Sequence, residues 1–191
     1  MPVDIAFLLM YFSRHISFPA MYNSSIDPLS LNPVIRDSDF RYMKDLCLEY
    51  AASIDFDLNY KELLGEMAFL NKIYNTPRGI AFILKYFGRP VGIVGITKNG
   101  DDNTAEMKRF YILPEAASAK SCRILVEASI GWAKQSRFKR IRFNPAGSTT
   151  MTRKILTGNG FRKKQLNCDD CNSSEIYFEK ILVPFLISIK V

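Results

Sequence analysis

The segment that most constrains this chain is Ala105–Glu127, AEMKRFYILPEAASAKSCRILVE, which reads as a strand, a proline-closed turn, a loop of small and basic residues and the start of an amphipathic helix. Period two puts Met107, Arg109 and Tyr111 on one face of the strand and Glu106, Lys108, Phe110 and Ile112 on the other. Pro114 ends the strand because it has no N–H to donate to a ladder. Beyond the loop, Ile124, Leu125, Ala128, Trp132 and Ala133 recur at helical spacing, with Gly131 the one weak helix former among them. A strand that turns directly into a helix aims the unsatisfied N–H groups of the first turn at one point, where they can hold an anion such as a diphosphate.

Around this segment the chain reads as one domain. Its 191 residues provide the volume for a core. Asp37-Ser38-Asp39 offers an N-cap before the helical stripe Met43, Leu46, Cys47, Tyr50 and Ala51. The periodicity predicts a second helix over Asn59–Tyr74, with Leu63, Leu64, Met67, Leu70 and Ile73 inward and Lys61, Glu62, Glu66 and Lys72 outward. Ile80–Phe87 and Val91–Lys98 read as antiparallel strands, and Lys98–Asp102 turns the chain into the central strand. Glu175–Leu182 alternates as a further strand, and an apolar tail follows that could extend a sheet edge, pack on the N-terminus or form a homodimer contact. At the other end, Ile5–Phe12 is an apolar run too short to span a bilayer, flanked by charges in the reverse of the secretory order. No transmembrane segment is expected. Tyr22–Pro33, rich in Asn, Ser and Pro, reads as a linker.

The charge balance, 26 Lys and Arg against 19 Asp and Glu, gives +7 and favours anionic partners without choosing among nucleotides, acidic substrates, nucleic acid and phospholipid surfaces. Arg137, Lys139, Arg140, Arg142, Arg153, Lys154, Arg162, Lys163 and Lys164 follow one another with no interleaved aromatic platform, so nucleic acid is not an expected partner. Cys47, Cys122, Cys168 and Cys171 suggest a reducing, cytoplasmic setting. Cys168-Asp-Asp-Cys171 has zinc-knuckle spacing, but His15 is the one histidine and there is no second pair, so no metal site is expected. Cys122 lies in the loop with no neighbouring His to activate it and reads as a small filler rather than a nucleophile.

The order of these pieces resembles the GNAT N-acetyltransferase superfamily over about residues 33–183. Ala105–Glu127 looks like that family's fourth strand, pyrophosphate loop and third helix. Lys139–Phe143 resembles its fifth strand, Met151–Leu156 its fourth helix and Asn159-Gly160-Phe161 the usual end of that helix. Upstream, Val34–Phe40 resembles the first strand and helix start, and Gly88–Gly95 the second hairpin. The resemblance implies an α/β (α+β) fold with a mixed, mostly antiparallel, twisted sheet of six to seven strands. About four helices would flank it, and strands four and five would splay. The domains expected are an extension over 1–33, an acetyltransferase-like domain over 34–183 and an apolar tail over 184–191.

The function so implied is N-acetyl transfer from acetyl-CoA, as cosubstrate, to a primary amine on a small molecule or peptide. In a splayed pair whose first strand carries a bulge, unpaired backbone groups can take up the pantetheine amides as an added strand, beside Phe110, Tyr111 and Ile112. A backbone N–H there would stabilise an oxyanion. The loop, Ala117, Ser118, Ala119, Lys120, Ser121, Cys122 and Arg123, would hold the pyrophosphate, and Asn144 after strand five joins the cofactor-binding set. Glu106 is the candidate general base, since an attacking amine must lose a proton; the competing reading is an ion pair with a lysine or arginine on a neighbouring strand. Asp55 and Asp57 could meet a cationic amine, the competing reading being a capped solvent loop.

Two departures from the family pattern keep a non-catalytic GNAT-fold binding or regulatory protein as an alternative. The loop positions that carry Arg or Gln, Gly, and Gly or Ala in the family are Ala117, Lys120 and Cys122 here. The fourth-helix position that often carries a Tyr to protonate the leaving thiolate is Leu156. With a reference pKa of about 8.5, a thiol leaves as thiolate without much help near neutral pH.

Overall fold

The computed structural model describes residues 27–53, 60–100, 103–145, 148–167 and 174–182. The apolar run 5–12, His15, the loop carrying Asp55 and Asp57, the Cys168/Cys171 pair and the tail 184–191 lie outside the described residues.

Seven strands form one sheet: β1 (Leu29–Pro33), β2 (Gly79–Tyr86), β3 (Arg89–Asn99), β4 (Thr104–Ile112), β5 (Arg140–Phe143), β6 (Arg162–Asn167) and β7 (Ser174–Ile181). Their spatial order is β1-β2-β3-β4-β5-β7-β6. The β4–β5 pair is parallel and every other pair is antiparallel. The helices are α1 (Asp37–Ser53), α2 (Tyr60–Met67), α3 (Leu70–Ile73), α4 (Ala119–Gln135) and α5 (Thr150–Gly158), with a short 3₁₀ turn at Pro114–Ala116. This is the expected α/β sheet architecture.

Local chemistry accounts for most boundaries. Asp39 in the first turn of α1 accepts the Arg36 N–H at 3.1 Å, closing the helix start, and Met43, Leu46, Cys47 and Ala51 of α1 are buried as their spacing requires. Phe87 and Gly88, at φ 47° and 81°, form the two-residue turn between β2 and β3. At the end of α5, Gly160 at φ 82° lets the Phe161 N–H return to the Leu156 carbonyl, the stop that Asn159-Gly160-Phe161 predicts.

Ile80–Leu84 of β2 and Val91–Ile96 of β3 are buried almost without alternation, so both faces of the central sheet are covered. Helices α1–α3 cover one face. A Cβ on Gly79 would lie 2.6 Å from the Ile73 carbonyl, and one on Gly95 would lie 2.3 Å from the Tyr74 ring. Those two glycines let the α3 end sit directly on the sheet. Helix α4 covers the opposite face with Leu125, Val126, Trp132 and Ala133, and α5 packs beside it.

Four expectations need correction. The last five residues of the expected linker, Leu29–Pro33, form strand β1 and pair with β2, so the sheet begins before residue 34; Pro33 is tolerated because β1 is an edge. The expected second helix is two, broken at Ala68–Phe69. Glu66, expected outward, is buried. Arg162, Lys163 and Lys164, read only as part of a basic cluster with no element assigned, begin the edge strand β6, where charged side chains guard an open ladder.

Candidate active site

Strands β4 and β5 stay together for four residues each, from Thr104 opposite Arg140 to Met107 opposite Phe143, and then part. Among the described residues the β4–β5 pairing ends there, while β4 itself runs on to Ile112. The cause lies on its other edge. Ile93 pairs with Tyr111 and Gly95 with Lys108, so Val94 alone opposes both Arg109 and Phe110: a β-bulge, with Arg109 left-handed at φ 53°. The bulge and the splay therefore both occur as expected.

The extra residue also inverts the face pattern past the bulge. Lys108 opposes Gly95, whose Cβ direction points to Tyr74, so Glu106 and Lys108 lie on the face of α1–α3. Beyond the bulge that face takes Tyr111, whose ring lies 5.7 Å from that of Tyr50 in α1. Phe110 instead meets Phe143, the register partner of Met107, at 5.8 Å. The uninterrupted alternation that put Glu106 and Phe110 on one face is thus overturned, because a bulge adds one residue to a period of two.

At the far end of β4 the chain turns through Pro114–Ala116 into α4. Ser118 is the N-cap, its Oγ accepting the Ser121 N–H at 3.0 Å, while Ser121 Oγ donates to the Ala116 carbonyl at 2.9 Å. The Ala116 and Ala117 N–H groups bond back to Leu113 and Pro114. Those of Ser118, Ala119 and Lys120 have no acceptor among the described residues and stand at the positive end of a 17-residue helix. Ala117, Ser118 and Ala119 are exposed and small, leaving the approach open. Lys120 is also exposed, and its Nζ pairs with Asp27 Oδ2 at 2.8 Å; that bond holds the Asp27 carboxyl below its usual range. Arg123 is exposed on the same helix end. Asn144, also exposed, follows β5 where the strands part. A diphosphate with an extended, amide-bearing arm fits this arrangement: the helix start for the charge, the stretch of β4 beyond its parting from β5 for the arm.

Cys122 is different. Its thiol is wholly buried against Thr152 of α5, its pKa raised by that burial, and its N–H bonds to the Ser118 carbonyl. It packs the helix start rather than facing outward. Glu106, a quarter exposed (27%), pairs with Lys108 Nζ at 3.7 Å. The cation across the strand, Arg142, is engaged elsewhere, with Glu179 at 2.8 Å and over the Tyr177 ring at 5.0 Å. Among the described residues no group of His, Cys, Asp and Glu side chains could hold a metal.

Compared with known families, residues 43–151 match the model of the acetyltransferase (GNAT) family, more than half of the chain. The chain belongs to the GNAT acetyltransferase family. Solved structures agree on the fold. An acetyltransferase from Streptococcus agalactiae superposes with a TM-score of 0.63 at 19% identity, over 82% of this chain and 100% of that one. The PaiA N-acetyltransferase of Thermoplasma acidophilum, solved with coenzyme A, gives 0.59 at 13% identity over 80% and 99%. YncA from Salmonella typhimurium, solved with its cofactor acetyl-CoA, gives 0.58 at 12% identity over 82% and 95%. No protein of curated function matches by sequence.

Within this GNAT fold the departures have defined places. Ala117 offers no side-chain donor, Lys120 stands where a glycine would leave the backbone bare, and Leu156 is wholly buried. Sequence reasoning missed a buried cluster under the bulge. The Glu66 carboxylate of α2 accepts from Arg109 Nη2 at 2.5 Å and from the Tyr74 hydroxyl. Burial raises the pKa of both Tyr74 and Tyr50 and pushes the neighbouring Cys47 thiol up to about 12. A Gly at position 95, whose bare backbone seats the Tyr74 ring, was the available signal.

Proposed function

We propose that this GNAT protein is a cytoplasmic, acetyl-CoA-dependent N-acetyltransferase acting on a primary amine of a small molecule or peptide, with donor and acceptor bound together. The observation that carries it is the parting of β4 from β5 after Met107 and Phe143, on the strand that leads straight into the start of α4, where the Ser118, Ala119 and Lys120 N–H groups have no acceptor among the described residues. The relatives solved with coenzyme A and acetyl-CoA support the choice of cosubstrate.

Bound acetyl-CoA supplies an activated carbonyl. The α4 start holds its diphosphate, aided by Lys120 and Arg123. Backbone groups of Phe110, Tyr111 and Ile112 pair with the extended arm and present an N–H where negative charge develops on the carbonyl oxygen. Asn144 borders the gap from β5. Because the strands part, the gap opens to both faces of the sheet, and the acceptor reaches it from the α1–α3 face where Glu106 lies. Glu106 takes the proton from the acceptor ammonium, directly or through water. Its long contact with Lys108, about a quarter exposed, leaves the carboxylate accessible to that proton.

A second reading, a GNAT scaffold kept for binding or regulation, is favoured by Ala117, Lys120 and Cys122 in the loop. Thermal denaturation separates the two. Acetyl-CoA at about 100 times its Kd stabilises a binding chain by about 2.7 kcal/mol, whereas no shift at millimolar acetyl-CoA supports the scaffold reading. In a chain that binds, Glu106→Gln is expected to lower turnover with an amine panel by about 10²-fold or more at little change in acetyl-CoA affinity. Equal losses in both would remove Glu106 as the base.

A further inference from the structure

The bulge that opens the cleft is occupied by an arginine, not a glycine. Arg109 holds φ 53°, a conformation that L side chains rarely adopt, so something outside the backbone must fix it there. Its guanidinium is gripped by Glu66, at 2.5 Å, with both side chains only 8% exposed. Glu66 is held in turn by the Tyr74 hydroxyl, and Tyr74 is seated on the bare backbone of Gly95, the residue next to the bulge on β3. The contacts form a closed loop: the α2 carboxylate grips the bulge residue, the residue after α3 grips the carboxylate, and the sheet grips that residue.

We propose that Glu66 and Arg109, with Tyr74 as their support, are positioning residues that lock the β4 bulge in its left-handed state and so set where the backbone of Phe110–Ile112 stands in the cleft. Glu66 sits in α2, so the lock also ties that helix to β4. A buried charge pair suits this task because, once one partner leaves, the other is stranded in a poor solvent; the alternative arrangements are therefore strongly disfavoured. The inference rests on the acetyltransferase reading only for its catalytic consequence, since the lock itself is a property of the chain without ligand.

The test uses the full chain and three variants: Arg109→Gly, which accepts the backbone angle but deletes the side chain, Glu66→Gln, and the double change Glu66→Gln with Arg109→Gln, which strands no charge if either single variant fails to fold. Amide hydrogen exchange without ligand is expected to speed up by about tenfold or more at residues 109–112, with Phe82–Leu84 in the centre of β2 unchanged. Unchanged exchange at the bulge, or equal acceleration in both places, would overturn the lock. Binding then tests the positioning. Acetyl-CoA, which reaches β4, is expected to bind about tenfold more weakly to the variants, and ADP, which carries the diphosphate end alone, with unchanged affinity. Equal weakening of both ligands, or of neither, would overturn the positioning role. A parent chain that binds no acetyl-CoA would refute the acetyltransferase reading instead, and the exchange result would still decide the lock.

Discussion

At the scale of single residues, burial decides which chemistry is available. Cys47 and Cys122 are the thiols nearest the bulge and the loop, and both are wholly buried. Burial moves the Cys47 thiol from 9.0 to about 12, against the partly offsetting field of Arg109. Each pKa unit is tenfold in thiolate, so native-state alkylation of Cys47 at pH 8 is expected to run about 10³-fold slower than in the unfolded chain. Peptide mapping after iodoacetamide treatment checks this, and rapid native labelling would contradict it. The sign for stability follows from the same shift. The thiol favours folding below the unfolded value, and that contribution is lost as pH rises towards the folded one. Cys122 was legible as a filler because its neighbours offered no base. Glu66 was not legible: its spacing matched the polar stripe of a helix, and only Tyr74 and Arg109, 8 and 43 positions away, turn it inward.

At the scale of elements, the local rules worked wherever a boundary was set by a local device. The Ser118 cap, the Gly160 stop and the Pro114 turn all stand where short-range chemistry puts them. The face of Glu106 failed for a different reason. Period two holds only while both strands advance together, and a bulge arises from the partner strand, which no window on β4 contains. Strand β6 was hidden by its edge position, where exposed charges on both faces erase alternation. The cap makes a direct prediction. Ser118→Ala is expected to cost about 1 kcal/mol, read as a lower urea midpoint at unchanged slope. A neutral result would mean that the Ser121 N–H finds another acceptor.

At the scale of the whole molecule, the two covered faces and the parallel β4–β5 pair fix where a ligand can lie. The start of α4 and the end of β5 come to the same side of the sheet because each parallel strand delivers its chain there. The N-terminal edge is strapped to this region by Asp27 and Lys120, an exposed contact of modest strength. Asp27→Asn is expected to change stability by less than about 1 kcal/mol at pH 7. Because the bond lowers the folded Asp27 pKa, its contribution is present above the unfolded value of about 3.9 and fades as pH falls through the folded one. Parent and variant should therefore converge in acid; a gap that widens there would contradict this.

The most direct test of the account is backbone amide NMR on the full chain titrated with acetyl-CoA. Shift changes are expected in two groups, at Ser118–Ser121 where the diphosphate sits and at Lys108–Ile112 where the arm pairs with β4. Saturating acetyl-CoA that leaves both groups unmoved, or moves only residues outside this cleft, would contradict it.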